Sequence, residues 1–427
     1  MSLLDSLTQI KGRFGPDAAQ EAVRLLEVAK KSEWSDPEQL IHFHETVLYL
    51  RAYPQSPDVL RLADEILFAF SERVQDKEKE PFEYPEISGI AGTGLTTNYS
   101  HPFAQSLAVR HGSKVNIDWN QFKHAHRLAS IIAKKNPAAR EDWAIAPHPD
   151  WRAWYEKSGG QLDWLIEGTS AEVFDLLELL IRWEIGDSHA SRSRSRLPRK
   201  KIFYHQEPFL TRKQVSLEEE FAAPPIPVRK LSAKEVAKIL PVIIDASAVR
   251  YRELYGFLYP DTNNVFHTDL GRGIDLYFFG VPRKWKLPSR EYCAGMYFKN
   301  GVPIGYVEVM WREKKMEVGF NLYYTFRQGE TAWLYAKLLK IFRQRFRVDT
   351  FFIDPYQIGH DNDEAIESGA FWFYHKLGFR SESKEIEALA AKEEKKIAAD
   401  PTYRTPPRVL KKLATHPVAY KVGKRGA

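Results

Sequence analysis

The chain has 427 residues, 44% of them apolar, and carries a formal net charge of +6. This length predicts two or three domains of about 150 residues each, and the apolar fraction is enough to build packed cores. The single cysteine, Cys293, excludes a disulfide framework within the chain and is typical of a reducing compartment. The modest positive charge permits an anionic ligand or nucleic acid but requires neither.

The sequence contains no signal for membrane association. No stretch approaches about 18 consecutive apolar residues, and the first residues lack the charged and apolar segments of a secretory leader. We therefore expect a cytoplasmic protein that makes no membrane contact. No pattern in the chain indicates an oligomeric state.

Residues 1–190 are predicted to form an all-α domain of unknown role. Apolar residues recur there with the three-four spacing of amphipathic helices. A glycine-rich run at residues 88–94 lacks the Lys-Ser/Thr ending of a phosphate-binding P-loop, which favours an ordinary loop. The predicted helices span residues 18–30, 42–52, 59–74, 120–133 and 171–183.

A basic linker that contains proline is predicted over residues 191–224. Its beginning alternates serine and arginine, with Arg192, Arg194 and Arg196 among the cations. This composition favours a solvated linker over a basic arm for RNA or DNA, because no nucleic-acid-binding motif accompanies it. Nucleic acid therefore remains a possible partner but not the favoured one.

Residues 225–385 read as a mixed α/β domain, so the fold class of the whole chain is predicted to be α+β. Ser232 and Glu235 form a capping-box pattern at the start of a helix, and Asn300-Gly301 is a strong hairpin signal. Residues 386–427 are expected to form a helical, basic tail. In chain order, the domain is predicted to contain a strand at 227–231, a helix from 233 to about 255, strands at 292–298, 303–311 and 315–324, a helix at 331–346, a strand at 350–354, a helix at 365–377 and a strand from 379.

The most informative run closes the last of these helices. It ends in a Lys-Leu-Gly-Phe sequence preceded by a tyrosine, and it comprises Phe373, Tyr374, His375, Lys376, Leu377, Gly378 and Phe379. This run resembles the Tyr-x-Lys-Leu-Gly-Phe ending of the GNAT superfamily of N-acyltransferases, and the order of elements over residues 225–385 resembles the fold of that family. The resemblance implies a central, mostly antiparallel sheet. It also implies direct transfer of an acyl group, in the first place acetyl, from acetyl-coenzyme A or another acyl-coenzyme A to an amine of a small molecule or protein.

The resemblance also implies site residues. Tyr374 would protonate the departing thiolate. The family's pyrophosphate loop, Arg/Gln-x-x-Gly-x-Gly/Ala, begins at Arg327 and puts Glu330 where the first glycine is expected. Successive backbone amides and the helix dipole can hold a diphosphate there, although the Glu330 carboxylate could repel it. The implied cofactor-binding residues are Tyr324, Arg327, Gln328, Gly329, Glu330, Thr331, Ala332 and Asn362.

Glu330 also supports an alternative, a binding or regulatory protein that has kept the architecture of the family without its activity. A third alternative is an RNA-linked factor that uses the serine and arginine segment.

Two carboxylates are candidates for the catalytic base. Glu308 alternates with Val307 and Val309 in its strand, and Glu317 lies near the start of the strand that leads into the phosphate loop. The alternative for each is a solvent-facing strand residue without a catalytic role. A relay of water molecules could equally take the place of the base. Asn362, implied to contact the cofactor, and His360, which could be a base, are expected first of all to be caps of their loop.

Arg250, Tyr251 and Tyr255 are candidate acceptor-binding residues, since the first helix of this domain lines the acceptor site in the family. Arg252 belongs to the same group. An exposed helix face is the alternative for all of them. Cys293 is expected in the core rather than as a nucleophile. His42 and His44 are two residues apart, so they are not expected to form a metal site on one helix face.

Overall fold

The computed structural model describes residues 2–120, 122–145, 150–157, 161–251, 253–400 and 402–423. Helices and antiparallel sheets together confirm the predicted α+β class. Within the described ranges, no helix is long and apolar enough to cross a membrane.

The first 74 residues form five helices. The second, third and fourth begin with proline, whose fixed φ suits the first helical position, and Asp36 and Ser56 cap the third and fourth. The apolar faces of the five helices share one continuous core with the large sheet of the second half. The helices are α1 (Leu3–Ile10), α2 (Pro16–Lys31), α3 (Pro37–Ala52), α4 (Pro57–Phe68) and α5 (Phe70–Val74).

Residues 94–184 build a second core around a three-stranded antiparallel sheet. The prediction of an all-α first half is therefore wrong. Of the helix expected at 171–183, only the first turn forms; Ile181 and Trp183 are then buried on one face of a strand, while Arg182 and Glu184 alternate with them. The elements in chain order are β1 (Gly94–Asn98), α6 (His101–His111), β2 (Val115–Asp118), α7 (Ala125–Lys135), α8 (Pro137–Ile145), α9 (Trp151–Lys157), α10 (Leu162–Gly168), α11 (Ala171–Asp175) and β3 (Leu180–Glu184).

The serine and arginine segment that follows is buried, which contradicts the prediction of a solvated linker. Arg192 is only 2% exposed, and Ser193 is fully buried. The three arginines that a nucleic acid would contact are already paired with carboxylates of the same chain: Arg192 with Glu45, Arg194 with Asp187, and Arg196 with Asp64. These intramolecular ion pairs also remove the basis for a nucleic-acid arm.

The second half is built on a nine-stranded sheet in the order β11-β12-β10-β9-β8-β7-β6-β5-β4. The predicted three-stranded meander is present as β7, β8 and β9, and Asn300 and Gly301 turn the chain between the first two with positive φ at both residues. The hairpin of β5 and β6 and the strand β12 were not predicted. The strands are β4 (Arg229–Lys230), β5 (Val265–Gly271), β6 (Ile274–Phe279), β7 (Glu291–Lys299), β8 (Val302–Arg312), β9 (Lys315–Leu322), β10 (Thr350–Ile353), β11 (Arg380–Ser381) and β12 (Val418–Lys421).

The helices of this half pack on the sheet. The helix expected at 331–346 has those bounds, whereas the one expected at 365–377 is broken in two at Gly369, which adopts φ 65°. The tail expected after residue 385 contributes β12 to the interior of the sheet. The helices are α12 (Leu217–Ala222), α13 (Ala233–Ala248), α14 (Tyr255–Leu258), α15 (Thr331–Phe346), α16 (Pro355–Ile358), α17 (Asp363–Glu367), α18 (Ala370–Lys376), α19 (Lys384–Ala399) and α20 (Pro407–Leu413).

The sheet opens between β9 and β10, its one parallel pair. These strands are paired only where Lys315, Met316 and Glu317 face Thr350, Phe351 and Phe352. Beyond Glu317, β9 continues to Leu322 without β10 beside it. The backbone of β9 facing β10 is thus left without a strand partner, and a cavity forms in the gap.

Candidate active site

A cavity of about 600 Å³ occupies the gap between β9 and β10. This volume lies within the range of small-molecule sites. Side chains from β8 and β9, the loop before α15, and helices α16 to α18 form its walls. The lining residues are Tyr306, Glu308, Gly319, Phe320, Asn321, Leu322, Arg327, Thr331, Tyr356, Gln357, Asn362, Glu364, Ala365, Ser368, Ala370, Phe373 and Tyr374.

One wall of the cavity contains the N-terminus of α15. Thr331, the first residue of this 16-residue helix, lines the cavity, and no side chain caps the helix end. The amides of a first helical turn have no partner within the helix, so an uncapped turn presents them, with the positive end of the helix dipole, to an anion. Arg327 also lines the cavity, where it forms an ion pair with Glu364.

Glu330 does not face the cavity, although the sequence places it in the loop. It is 5% exposed, accepts a hydrogen bond from the Leu210 amide (3.0 Å), and forms an ion pair with Arg272 at 2.6 Å. Its negative charge is thus balanced on the side of the loop away from the cavity. The expected repulsion of a phosphate by this carboxylate does not arise in this geometry.

Tyr374 lies on α18 and lines the cavity, although its side chain is only 5% exposed overall. The rings of Tyr335 and Phe379 pack edge-on against it, with ring centres 5.6 and 5.8 Å away. Burial raises the pKa of the Tyr374 phenol, which keeps it protonated at neutral pH but makes it a weaker acid than an exposed tyrosine.

Glu308 is the carboxylate candidate that reaches the cavity. The Tyr292 hydroxyl donates a hydrogen bond to it, and that hydroxyl in turn accepts one from the Gly256 amide at 3.0 Å. Burial raises the pKa of Glu308, against the opposing effect of the Tyr292 hydrogen bond. A carboxylate with a raised pKa is a stronger base than an ordinary one.

Glu317 lies on the same face of the sheet but is not among the lining residues. Glu308 pairs with Gly319, so Glu317 is its diagonal neighbour, about 7–8 Å away at the Cα atoms. It lies 3.6 Å from Arg290, and burial, followed by the charge of Asp354, raises its pKa. Of the two predicted bases, the structure brings only Glu308 together with Tyr374.

The remaining predicted cofactor residues divide between the cavity wall and its surroundings. Asn362 lines the cavity and also caps α17, accepting a hydrogen bond from the Ala365 amide (3.1 Å). Its predicted role as a loop cap is confirmed. Tyr324 is 66% exposed. The residues that flank the cavity without lining it are Tyr324, Gln328, Gly329 and Ala332.

The predicted acceptor-binding residues make structural contacts instead, which contradicts their assignment. Arg250 is buried over the Tyr323 ring (3.9 Å), and burial lowers its pKa to about 9. The Tyr251 hydroxyl donates to the Glu83 carbonyl at 2.8 Å, and that of Tyr255 to the Trp285 carbonyl. Arg252 lies outside the described residues.

Several cavity residues were missed by the sequence analysis. Tyr306 shares its face with Glu308 through strand alternation, a signal already present in the β8 pattern. Tyr356 and Gln357 follow directly after β10, where the chain leaves the sheet edge. The signal for Phe320 and Ser368 is absent from the sequence, because only the divergence of the strands exposes them to the cavity.

Other candidates are structural. Cys293 is buried as predicted, and burial raises the pKa of its thiol to about 12. His44 hydrogen-bonds Glu45 and Ser193, each at 2.9 Å. In the described part of the chain, no group of three or more His, Cys, Asp or Glu side chains is arranged to hold a metal ion.

Comparison of the chain with protein-family models, with curated proteins and with solved structures found no significant match.

Proposed function

We propose that this chain is an N-acyltransferase that moves an acyl group, most simply acetyl, from an acyl-coenzyme A to an amine. The observation that supports this most strongly is the pairing of two features in one cavity. An uncapped N-terminus of a long helix lines it together with the buried Tyr374. The resemblance of residues 225–385 to the GNAT superfamily supports the same reaction.

The proposed binding mode follows from the cavity walls. The diphosphate of coenzyme A would lie against the first-turn amides of α15 at Thr331, where the helix dipole favours negative charge. The pantetheine arm would then extend along the unpaired part of β9 towards Tyr374. Backbone groups of β9 without a β10 partner are available to hydrogen-bond that arm and to polarise the thioester carbonyl.

The proposed transfer is direct and passes protons through Glu308 and Tyr374. Glu308 accepts a proton from the acceptor ammonium, directly or through water, and the freed amine attacks the thioester carbon. The new C–N bond forms as the C–S bond breaks, and the electron pair leaves with sulfur. Tyr374 gives its proton to that thiolate and is reprotonated, directly or through water, by the second proton that the nitrogen loses as the amide forms, and Glu308 releases the proton it accepted to solvent. No covalent intermediate on the protein is needed.

The experiment is a thiol-release assay with acetyl-coenzyme A and a panel of small amines and amine-bearing peptides. Amine-dependent thiol release that falls in Tyr374→Phe, but not in Tyr84→Phe, supports the proposal. Tyr84 is an exposed tyrosine that is not among the cavity residues. If thiol release is the same in both variants, Tyr374 has no role in the transfer.

A second candidate is a protein that binds its ligand without catalysis. It is supported by the ion pair of Arg327 with Glu364. Arg327 is the one cation among the described lining residues, and this pair already neutralises its charge. Glu364→Gln would free this cation and is expected to tighten binding of acetyl-coenzyme A. Binding without thiol release across the panel would favour this candidate.

A further inference from the structure

The loop that leads into α15 is held by residues far outside the region that resembles an acyltransferase. Thr325, in the 3-10 turn Tyr324–Phe326, is 8% exposed. Its hydroxyl donates to the carboxylate of Glu45 on α3 and accepts from the guanidinium of Arg192 at 3.0 Å. Glu45 and Arg192 themselves form an ion pair at 2.5 Å.

Two further contacts hold the same loop from behind. A Cβ added to Gly329 would lie 2.5 Å from the Tyr53 hydroxyl, so the backbone of the loop is pressed against that ring. Glu330, the N-cap position of α15, accepts a hydrogen bond from the Leu210 amide at 3.0 Å. All the partners of the loop in these contacts come from residues 45–210.

The ion pair of Glu45 and Arg192 is itself fixed in the buried interior. Arg192 also donates to the carbonyls of Glu86 (3.1 Å) and Ile87 (2.6 Å). The carbonyl of the next residue, Ser193, accepts from Arg51 at 2.7 Å. A guanidinium with partners on several segments has little freedom to move with the loop, so Arg192 and Glu45 hold the loop in place.

The hold on Thr325 is transmitted to the cavity through the backbone. The carbonyl of Phe326, the last residue of the turn, accepts a hydrogen bond from the Gly329 amide at 3.1 Å. Gly329 precedes Glu330, from which α15 begins. A displacement of Thr325 therefore changes the direction in which the first-turn amides of α15 face the cavity.

We infer that the first 224 residues act as a brace for the cavity, and that Glu45, Arg192 and Thr325 are positioning residues for a diphosphate-bearing ligand. The identity of the ligand in this inference depends on the proposed function. The effect on the loop does not, because the contacts hold the loop whether or not acyl-coenzyme A binds there.

The test compares Thr325→Val, which removes the hydroxyl, with Thr325→Ser, which keeps it. Thr93→Val is the matched control, because Thr93 is also buried and its hydroxyl donates to the Ile90 carbonyl at 2.8 Å, outside the cavity wall. Hydrogen exchange of the amides of residues 326–333 reports the loop, and calorimetry with acetyl-coenzyme A reports the site. Near-ultraviolet circular dichroism identifies folded variants.

Loss of a hydrogen bond to charged groups predicts about tenfold faster exchange in this loop and about tenfold weaker binding for Thr325→Val. Thr325→Ser and Thr93→Val should match the wild type in both measurements. If Thr325→Val does not fold, Thr325→Ala, which also removes the hydroxyl, replaces it with the same expectation.

Loop exchange in the Thr325 variant that matches the Thr93 control would overturn the inference. A wild-type chain that does not bind acetyl-coenzyme A would overturn the proposed function instead, and the exchange measurement would still decide whether the brace exists.

Discussion

Replacing Glu45 by Gln removes the charge at the centre of the brace while keeping the shape of the side chain. The Glu45 carboxylate is largely buried, contacts Arg192 and Thr325, and lies 2.9 Å from His44. Burial alone would raise its pKa. The Arg192 guanidinium, the contacts with His44 and the Thr325 hydrogen bond together outweigh burial and lower the pKa from 4.5 to about 2.

This difference in pKa sets the expected contribution of Glu45 to the free energy of unfolding. A carboxyl whose pKa falls from 4.5 to about 2 on folding contributes about 3 kcal/mol of stability at pH 7. Because the folded pKa is the lower one, the contribution is fully present above pH 4.5 and is lost as the pH falls towards 2. At pH 3 about 1 kcal/mol remains.

Urea unfolding followed by tryptophan fluorescence at pH 7 and pH 3 measures this contribution. Glu45→Gln should be about 3 kcal/mol less stable than the wild type at pH 7, and the gap should narrow to about 1 kcal/mol at pH 3. Glu27→Gln, at an exposed position of α2, provides the control and should show almost no difference at either pH. A gap for Glu45→Gln that is the same at both pH values would refute the reasoning.

Two further predictions concern the cavity, and a third concerns the packing of α14. Tyr374→Phe should lower kcat for acyl transfer by about 10²-fold with the affinity for acetyl-coenzyme A unchanged, because only proton donation is lost; the thiol-release assay measures both. Glu308→Gln should slow transfer, because the base is lost. In the wild type the rate should rise with pH above 4.5 as Glu308, whose pKa is raised, loses its proton; a pH–rate profile of Glu308→Gln should lack this rise. Gly256→Ala should cost about 1–3 kcal/mol in urea unfolding, because its Cβ would lie 2.6 Å from that of Ala294 and 2.7 Å from the Tyr292 ring.

Each of these predictions has a contradicting result. An unchanged kcat in Tyr374→Phe removes the tyrosine from the proton path. A pH–rate profile of Glu308→Gln identical to that of the wild type assigns the base to another group or to water. Wild-type stability in Gly256→Ala shows that α14 can move away from β7 without loss.

The elements of the second half could be predicted because their signals are local. Thr331–Phe346 is a helix with the predicted bounds, and the Asn300-Gly301 turn depends on the positive φ that these residues tolerate. Gly369 breaks the helix expected at 365–377, and the strand β3 replaces the helix end expected near Trp183. The left-handed backbone of Gly369 interrupts the first helix. Near Trp183 a short apolar run fits the period of a helix or of a strand, and the tertiary context decides between them.

The buried state of the serine and arginine segment could not be predicted, because it depends on partners distant in sequence. Arg192 meets Glu45, 147 residues away, and Thr325, 133 residues away. A segment of this composition is normally solvated, since unpaired charges are expensive to bury. The same reasoning explains Glu330, whose partner Arg272 turns its carboxylate away from the cavity.

The candidate site was predicted in part. Tyr374 and Glu308 reach the same cavity, as strand alternation and the Lys-Leu-Gly-Phe run indicate. Arg250 and Tyr251 do not: Arg250 stacks on the Tyr323 ring, and Tyr251 hydrogen-bonds the Glu83 carbonyl in the first half of the chain, which the sequence did not place beside it. Residues such as Phe320 line the cavity only because β9 and β10 diverge beyond Glu317, a feature of the sheet rather than of either strand.

Calorimetric titration with acetyl-coenzyme A, applied to the wild type and to two glycine variants, tests the central claim most directly. Gly319→Leu projects a side chain into the cavity at the divergence of the strands, whereas Gly12→Leu adds the same side chain at an open, exposed position. The wild type and Gly12→Leu should bind one molecule per chain, and Gly319→Leu should not bind. Absence of binding to folded wild-type protein, or equal binding by Gly319→Leu, would contradict an acyl-coenzyme A site between β9 and β10.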